Sequence, residues 1–252
     1  MELFQHLKTI IRHPSILRPY KHILLLSHMR ANTSLFGHLL GSNPEIEGYY
    51  EMHIGYYSWK SFIRQKLKYF AEHTPKKNAV YMFDKVLHNE HHINTDILTN
   101  NDKIIIMVRE PLATIKSIQK LFSKVDPTHE YNNEEYAKAY YIARLDELVK
   151  LAKALKGRYY FLNADDLIQS PDSVLKSLSQ NLSLNKALTK TYKMFKNTGK
   201  KGAGDSSSNM VKGEIQAKEI KPVNYANVDA ELGKLYHSAI YKLKDYAINV
   251  IN

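Results

Sequence analysis

Short runs of apolar residues alternate with longer segments of helical periodicity along most of the chain. Four runs are typical of strands buried on both faces of a sheet: Ile23–Ser27, Ala79–Phe83, Ile104–Val108 and Arg158–Leu162. The segments between and after them predict helices at Thr33–Ser42, Tyr56–Glu72, Leu112–Phe122, Glu134–Leu155 and Val228–Val250, and one more opened by Ser170-Pro171-Asp172. This order predicts an α/β fold with a central, mostly parallel sheet flanked by helices.

No linker divides the 252 residues, so we expect a single domain over 1–252 with a helical lead-in at 1–20 and a C-terminal helix at 228–250. Lys and Arg exceed Asp and Glu by 36 to 25, a net charge of +11 that favours an anionic ligand, glycan, nucleic acid or membrane surface. The lack of cysteine excludes disulfides and thiolate metal sites.

The apolar runs are too short to span a bilayer, and the N-terminus lacks the pattern of a signal peptide. We therefore expect a cytoplasmic protein without a transmembrane segment. An amphipathic N-terminal segment around Leu3–Arg12 leaves peripheral membrane contact open, although packing against the domain is the favoured interpretation.

The first predicted strand turns into a helix through Arg30-Ala31-Asn32-Thr33-Ser34. Such a turn exposes unpaired backbone N–H groups at the positive end of the helix dipole, which suits an anion. A Walker A loop requires glycines and a Gly-Lys pair, and no glycine lies between Ser27 and Phe36. The segment therefore predicts a phosphate or sulfate site but argues against a Mg²⁺-dependent nucleotide triphosphatase.

A second strand-to-helix turn carries Arg109, with Ser117 eight residues later. Side chains on a helix tilt toward its N-terminus, so the Ser117 hydroxyl is expected to lean toward the anion that Arg109 holds. Ligands of parallel sheets bind at the carboxyl ends of the strands, where Arg30 and Arg109 both fall. Together the two turns predict a ligand with two phosphate-like groups.

Taken in order, these segments resemble the sulfotransferases that use 3′-phosphoadenosine 5′-phosphosulfate (PAPS), with a spacing similar to the tyrosyl-protein and bacterial carbohydrate branches. Arg30–Leu35 resembles the 5′-phosphosulfate loop of that family, and Arg109 with Ser117 its 3′-phosphate motif. Lys200-Lys201-Gly202-Ala203-Gly204-Asp205 is similar to its basic glycine loop, which implies a mobile segment covering the nucleotide at 198–213. The resemblance implies a P-loop-like sulfotransferase fold and PAPS as co-substrate, with PAP as product.

Two positions depart from the family pattern. Ala31 stands where the family has serine, which removes a hydroxyl but keeps the backbone N–H. Asn32 stands where the family has glycine. That glycine serves a turn where φ can be positive, and asparagine is one of the few other residues that tolerate such a backbone. We expect the loop to keep its conformation.

The resemblance also implies candidates for the chemistry. Glu51 matches the position of a proposed basic carboxylate, which would take the proton from an acceptor hydroxyl or amine, and His53 is the alternative base. Asp84-Lys85 resembles a pair in several members, where Lys85 would balance charge on the sulfuryl group or hold the acceptor; a plain surface lysine is the competing interpretation. His88, His91 and His92 lack a His-Glu-x-x-His pattern, so we expect no metal.

The acceptor is not identified by the sequence. A glycan, a lipid-linked sugar, a small metabolite or a peptide tyrosine would suit this chemistry, and the net charge favours an anionic or membrane-associated acceptor. Two alternatives belong to other classes: a P-loop-type kinase, and a non-catalytic basic module that binds nucleic acid or acidic glycan through the lysines between Lys193 and Lys221. Within the sulfotransferase interpretation we expect no nucleic-acid partner.

Overall fold

The computed structural model describes residues 8, 10–12, 14–196, 198, 210–225 and 228–252. Its centre is a sheet of parallel strands in the order β2-β3-β1-β4-β5-β6. The strands are β1 Lys21–Leu26, β2 Ile46–Glu47, β3 Tyr81–Val86, β4 Lys103–Val108, β5 Tyr159–Asn163 and β6 Asn249–Ile251. The predicted parallel α/β fold is confirmed.

Helices cover both faces of this sheet. They are α1 Thr33–Ser42, α2 Trp59–Phe70, α3 Pro111–Val125, α4 Glu134–Ala154, α5 Asp166–Gln169, α6 Pro171–Asn181 and α7 Ala230–Tyr246. Successive side chains of a strand point to opposite faces. Accordingly, Ile23 and Leu25 of β1 pack in the cluster that contains α1 and α6, whereas Leu24 and Leu26 pack in the cluster that contains α2, α3, α4 and α7.

The C-terminus differs from the prediction. The helix predicted at Val228–Val250 ends at Tyr246, and Asn249–Ile251 is the strand β6 at one edge of the sheet. Like β2, which has two residues, β6 is too short to show a period in the sequence. It forms because its backbone pairs with the edge of β5 at Tyr160–Leu162.

Among the other bounds that differ from the prediction, two have a clear physical cause. The strand predicted at Ala79–Phe83 lies at Tyr81–Val86, because Asp84 and Lys85 continue it and are buried despite their charge. The helix predicted from Tyr56 begins at Trp59, since Tyr56 instead forms a parallel bridge with Ile93. Of the predicted N-terminal lead-in, residues 14–17 form a single 3₁₀ turn, and residues 1–7, 9 and 13 lie outside the described part.

All strands run the same way, so the loops that follow β1, β3, β4 and β5 emerge at one end of the sheet. We call this the carboxyl end. It carries the residues that the sequence nominates for chemistry. Within the described part of the chain, no helix has the length and apolarity needed to cross a membrane.

Candidate active site

The loop between β1 and α1 has an unusual backbone. Asn32 adopts the left-handed conformation, with φ of 57°, as predicted for the position where the family has glycine. Arg30 does so as well, with φ of 63°. The Asn32 side chain donates to the carbonyl of Ala164 after β5, at 3.0 Å, which ties the loop to a strand two places away. Ala31 is fully buried, so a serine at this position would bring a hydroxyl into the core.

The N-terminus of α1 follows this loop, and the side chain of its N-cap residue Asn32 makes no capping hydrogen bond. Thr33 and Ser34 begin the helix and are buried. Its first N–H groups have no partner within the helix, and they lie at the positive end of the helix dipole. This geometry suits an anion, as the sequence predicts.

The two candidate arginines meet at the carboxyl end of the adjacent strands β1 and β4. Arg30 donates from Nε to Ser117 Oγ at 2.9 Å. Arg109 donates from Nη1 to the carbonyl oxygen of Arg30 at 3.2 Å, and from Nε to Asp165 at 3.0 Å. Ser117 is thus hydrogen-bonded to Arg30, whereas the sequence associates it with Arg109. The pair of motifs nevertheless forms one cluster.

His28, which the sequence did not single out, holds the two turns together. Its Nε2 accepts the backbone N–H of Arg109 at 3.0 Å, and its Nδ1 donates to the carbonyl of Met29 at 2.8 Å. Burial lowers the pKa of His28 to about 4, and the charges of Arg144 and Arg109 act in the same direction. A neutral imidazole is what this arrangement requires, because Nε2 must accept a hydrogen bond.

Arg144 is a second residue that the sequence analysis missed. It is 2% exposed, and its guanidinium donates to the carbonyls of Ser27 and Val86 at 2.8 and 2.7 Å. It therefore joins the carboxyl ends of β1 and β3. One signal was available: Tyr141, Arg144, Leu145 and Leu148 share the buried face of α4, so the arginine occupies a core position of a periodic helix.

Glu51 and His53 lie in the loop after β2, next to β3. The Glu51 side chain is 10% exposed and its Oε1 lies 3.7 Å from His53 Nδ1, too far for a hydrogen bond. Among the described residues, no group donates a hydrogen bond to that buried oxygen. His53 is half exposed and has a positive φ of 51°.

Asp84 and Lys85 are both buried, so Lys85 is not the surface lysine of the competing interpretation. Their side chains leave opposite faces of β3. Asp84 accepts from Tyr56 at 2.7 Å and from the Met52 N–H at 3.0 Å, which fixes the loop that carries Glu51 and His53. Burial raises the pKa of Asp84 to about 7. Lys85 faces the α1 side, close enough to His38 to help lower the pKa of that imidazole, a shift caused mainly by burial.

The predicted covering loop is only partly described. Lys200, Lys201 and Gly202 lie outside the described residues. At its two ends, Thr198 is hydrogen-bonded to His38 Nε2 at 2.8 Å, and Met210 is buried in the core on the α1 side of the sheet.

Two arginines and a helix N-terminus at the carboxyl end of a parallel α/β sheet form a geometry that suits an anionic ligand. No protein-family model and no curated protein matches the chain. The sulfotransferase domain of the Synechococcus PCC 7002 olefin synthase matches it with a TM-score of 0.59 at 17% identity, over 89% of this chain and 96% of that domain. The chain therefore has the fold of a sulfotransferase domain.

A second solved structure, the sulfotransferase domain from the curacin biosynthetic pathway, matches with a TM-score of 0.46 at 14% identity. The match covers 88% of this chain and 97% of that domain.

Proposed function

We propose that this chain is a sulfotransferase that moves the sulfuryl group of PAPS to a hydroxyl or amine acceptor and releases PAP. The observation that carries the proposal is the meeting of Arg30, Arg109 and Ser117 at the carboxyl ends of two adjacent strands. PAPS has a 5′-phosphosulfate and a 3′-phosphate. Two neighbouring arginines beside a helix N-terminus suit a ligand with two such anionic groups.

On the donor side, each residue has a distinct task. Arg30, Thr33 and Ser34, with the backbone N–H groups of residues 32–34, stabilise the negative charge that grows on the departing phosphate oxygen. Arg109 and Ser117 hold the 3′-phosphate, and the basic loop with Lys200, Lys201 and Gly202 covers the nucleotide. The Ser117 hydroxyl accepts from Arg30 in the structure, so the side chains assigned to the two anionic groups lie in contact with each other.

On the acceptor side, Glu51 is the general base. As the bond from the acceptor oxygen or nitrogen to sulfur forms and the bond from sulfur to the phosphate oxygen breaks, the acceptor proton passes to the Glu51 carboxylate. The Glu51 carboxylate supports this role because its buried oxygen accepts no hydrogen bond from the described residues that would compete for the proton. His53, 3.7 Å away, is the alternative base, and Lys85 balances charge on the sulfuryl group. Catalysis then consists mainly of positioning and electrostatic stabilisation.

Thermal-shift measurements with PAP, ATP and AMP test the nucleotide site. We expect PAP to raise the melting temperature well beyond the other two, because only PAP offers a 3′-phosphate. Arg109→Ala should remove most of this difference, whereas Arg64→Ala, which loses the same charge from an exposed position on α2, should keep it. Equal stabilisation by PAP and AMP would contradict the proposal, and stabilisation by ATP alone would favour a kinase.

A transfer assay with labelled PAPS and a cell extract, followed by mass analysis of the product, tests the chemistry and identifies the acceptor. We expect Arg30→Ala to abolish transfer. Glu51→Gln should lower turnover by about 10²–10⁴-fold while PAP affinity stays nearly unchanged, since a general base acts in the transition state. If Glu51→Gln keeps full activity and His53→Ala does not, His53 is the base instead.

A further inference from the structure

Three side chains with metal-binding atoms converge beside the proposed acceptor site. One ligand atom from each of Glu51, His53 and His91 lies within 4.8 Å of the others. Glu51 and His53 come from the loop after β2, and His91 comes from the segment after β3. From the sequence we expected no metal, because the neighbouring histidines His88, His91 and His92 form no ligand pattern of their own. In the folded chain, His91 lies beside Glu51 and His53, which come from a segment distant in sequence.

The two segments are held in register by backbone hydrogen bonds. The Tyr56 N–H donates to the His92 carbonyl, and the Asn94 N–H donates to the Tyr56 carbonyl, both at 2.8 Å. These bonds form the parallel bridge between Tyr56 and Ile93. His53 and Glu51 therefore lie three and five residues before one end of the bridge, and His91 lies two residues before the other, so the donors are on a braced part of the backbone.

Two of the three donor groups have a buried polar atom that is not satisfied. Within the described part of the chain, neither Glu51 Oε1 nor His91 Nε2 has a hydrogen-bond partner. The nearest ion-pairing atoms, His53 Nδ1 for Glu51 and Glu90 Oε1 for His91, are each 3.7 Å away and too distant for a hydrogen bond. A buried polar atom without a partner is costly, and an ion or a water accounts for such atoms in native proteins.

Two imidazoles and one carboxylate are a donor set for a divalent transition metal. Zn²⁺ takes histidine nitrogens and carboxylate oxygens, and three protein ligands leave a position for water. Ligand atoms around tetrahedral Zn²⁺ are about 3.4 Å apart at the usual bond lengths. The ligand atoms therefore approach one another by at most about 1.4 Å when an ion binds, and the half-exposed His53 side chain has room to move.

We propose that Glu51, His53 and His91 form a binding site for one Zn²⁺ ion, with water as a further ligand. The site goes beyond the transfer reaction. It has one consequence that rests on the proposed function: a bound ion occupies the Glu51 carboxylate, which then cannot take the acceptor proton. Zn²⁺ binding and sulfuryl transfer are therefore mutually exclusive.

Binding is measured on the full chain without an affinity tag, by competition for Zn²⁺ with a chromophoric chelator. We expect one tight site per chain. His91→Ala and His53→Ala should each weaken it by about 100-fold or more, since even residues that only support metal ligands are worth about 10–100-fold. His92→Ala is the matched control, because His92 neighbours His91 but is exposed and stacks on Tyr57. Melting temperatures show whether each variant is folded. If His91→Ala is not folded, His91→Asn is measured in its place.

A Co²⁺ titration gives a second measurement that does not depend on activity. We expect visible absorption bands in the wild type and in His92→Ala, and their loss in His91→Ala. Absence of a one-to-one site, or equal Zn²⁺ affinity in His91→Ala and His92→Ala, would overturn the proposal.

Transfer assays with increasing Zn²⁺ separate this proposal from the proposed function. We expect half-inhibition at the Zn²⁺ concentration that half-fills the site, and no such inhibition in His91→Ala. If Zn²⁺ binds without inhibiting, the metal site is supported and the role of Glu51 as base is wrong. If Zn²⁺ does not bind while Glu51→Gln still lowers turnover, the metal site is wrong and the transfer mechanism is supported.

Discussion

Replacing the buried Arg144 tests how the carboxyl end of the sheet is held together. The guanidinium donates to the carbonyls of Ser27 and Val86 and to the Asn89 side chain, over 2.7–2.8 Å. Arg144→Met keeps a long apolar side chain but removes all three bonds. The Val86 carbonyl still accepts from the Ser27 N–H at 3.2 Å, so the Ser27 carbonyl bears most of the penalty.

The magnitude follows from these contacts. Hydrogen bonds to charged groups contribute about 1.5–3 kcal/mol each, and burying a methionine in place of a guanidinium returns part of that sum. We expect Arg144→Met to lower the free energy of unfolding by about 3–4 kcal/mol. Arg144→Lys should lower the free energy of unfolding by about half as much, because an ammonium keeps the charge but cannot form all three hydrogen bonds of the planar guanidinium. Asn89→Ala removes the bond from Arg144 and the one that Asn89 Nδ2 donates to the Ala143 carbonyl at 3.2 Å; because Asn89 is exposed, the change should cost about 1 kcal/mol or less.

Urea unfolding followed by circular dichroism measures these differences in the free energy of unfolding. We expect the m value, the slope of that free energy against urea concentration, to stay the same in all variants. Asn89→Ala serves as the control, because it leaves the bonds to Ser27 and Val86 intact. An Arg144→Met variant whose free energy of unfolding lies within about 1 kcal/mol of the wild type would refute the reasoning. It would mean that removing the guanidinium charge from water costs as much as its hydrogen bonds contribute.

Two further perturbations address the loops of the site. A Cβ at Gly37 would lie 2.2 Å from the Tyr49 carbonyl oxygen, so we expect Gly37→Ala to cost about 1–3 kcal/mol in urea unfolding; an unchanged midpoint would contradict this close packing. Because the pKa of His28 is about 4 when folded and 6.5 when unfolded, the unfolded state binds more protons between these values. His28 thus contributes stability that is present above pH 6.5 and lost as the pH falls to 4, by about 3 kcal/mol. Free energies of unfolding measured across this range should fall less steeply in His28→Gln than in the wild type, and parallel curves would be evidence against a buried neutral imidazole.

Much of the fold could be predicted because its signals are local. The continuous apolar runs predicted β1, β4 and β5, and Thr33–Ser42 was predicted with the bounds that the structure has. The positive φ of Asn32 was also expected, since it depends on the residue type and on the turn it occupies. The short strands β2 and β6 were missed because pairing with a neighbour, rather than periodicity, creates them.

The site could be predicted only as a set of residues. Its arginines were found because each follows a strand, but their partners lie far away in the sequence. Ser117 contacts Arg30 across 87 positions, and Arg109 pairs with Asp165 across 56. Such contacts depend on the order of strands in the sheet, which no local pattern specifies.

The sequence by itself determined the α/β class, the strand-to-helix turns and the chemical types gathered at the carboxyl end of the sheet. These properties depend on neighbours along the chain, through backbone sterics and the period of apolar side chains. The tertiary structure alone decided that His28 and Arg144 brace the loops and that Glu51, His53 and His91 meet. Burial and long-range contacts arise only when strands distant in sequence become adjacent, and they fix both the protonation of His28 and the unsatisfied oxygen of Glu51.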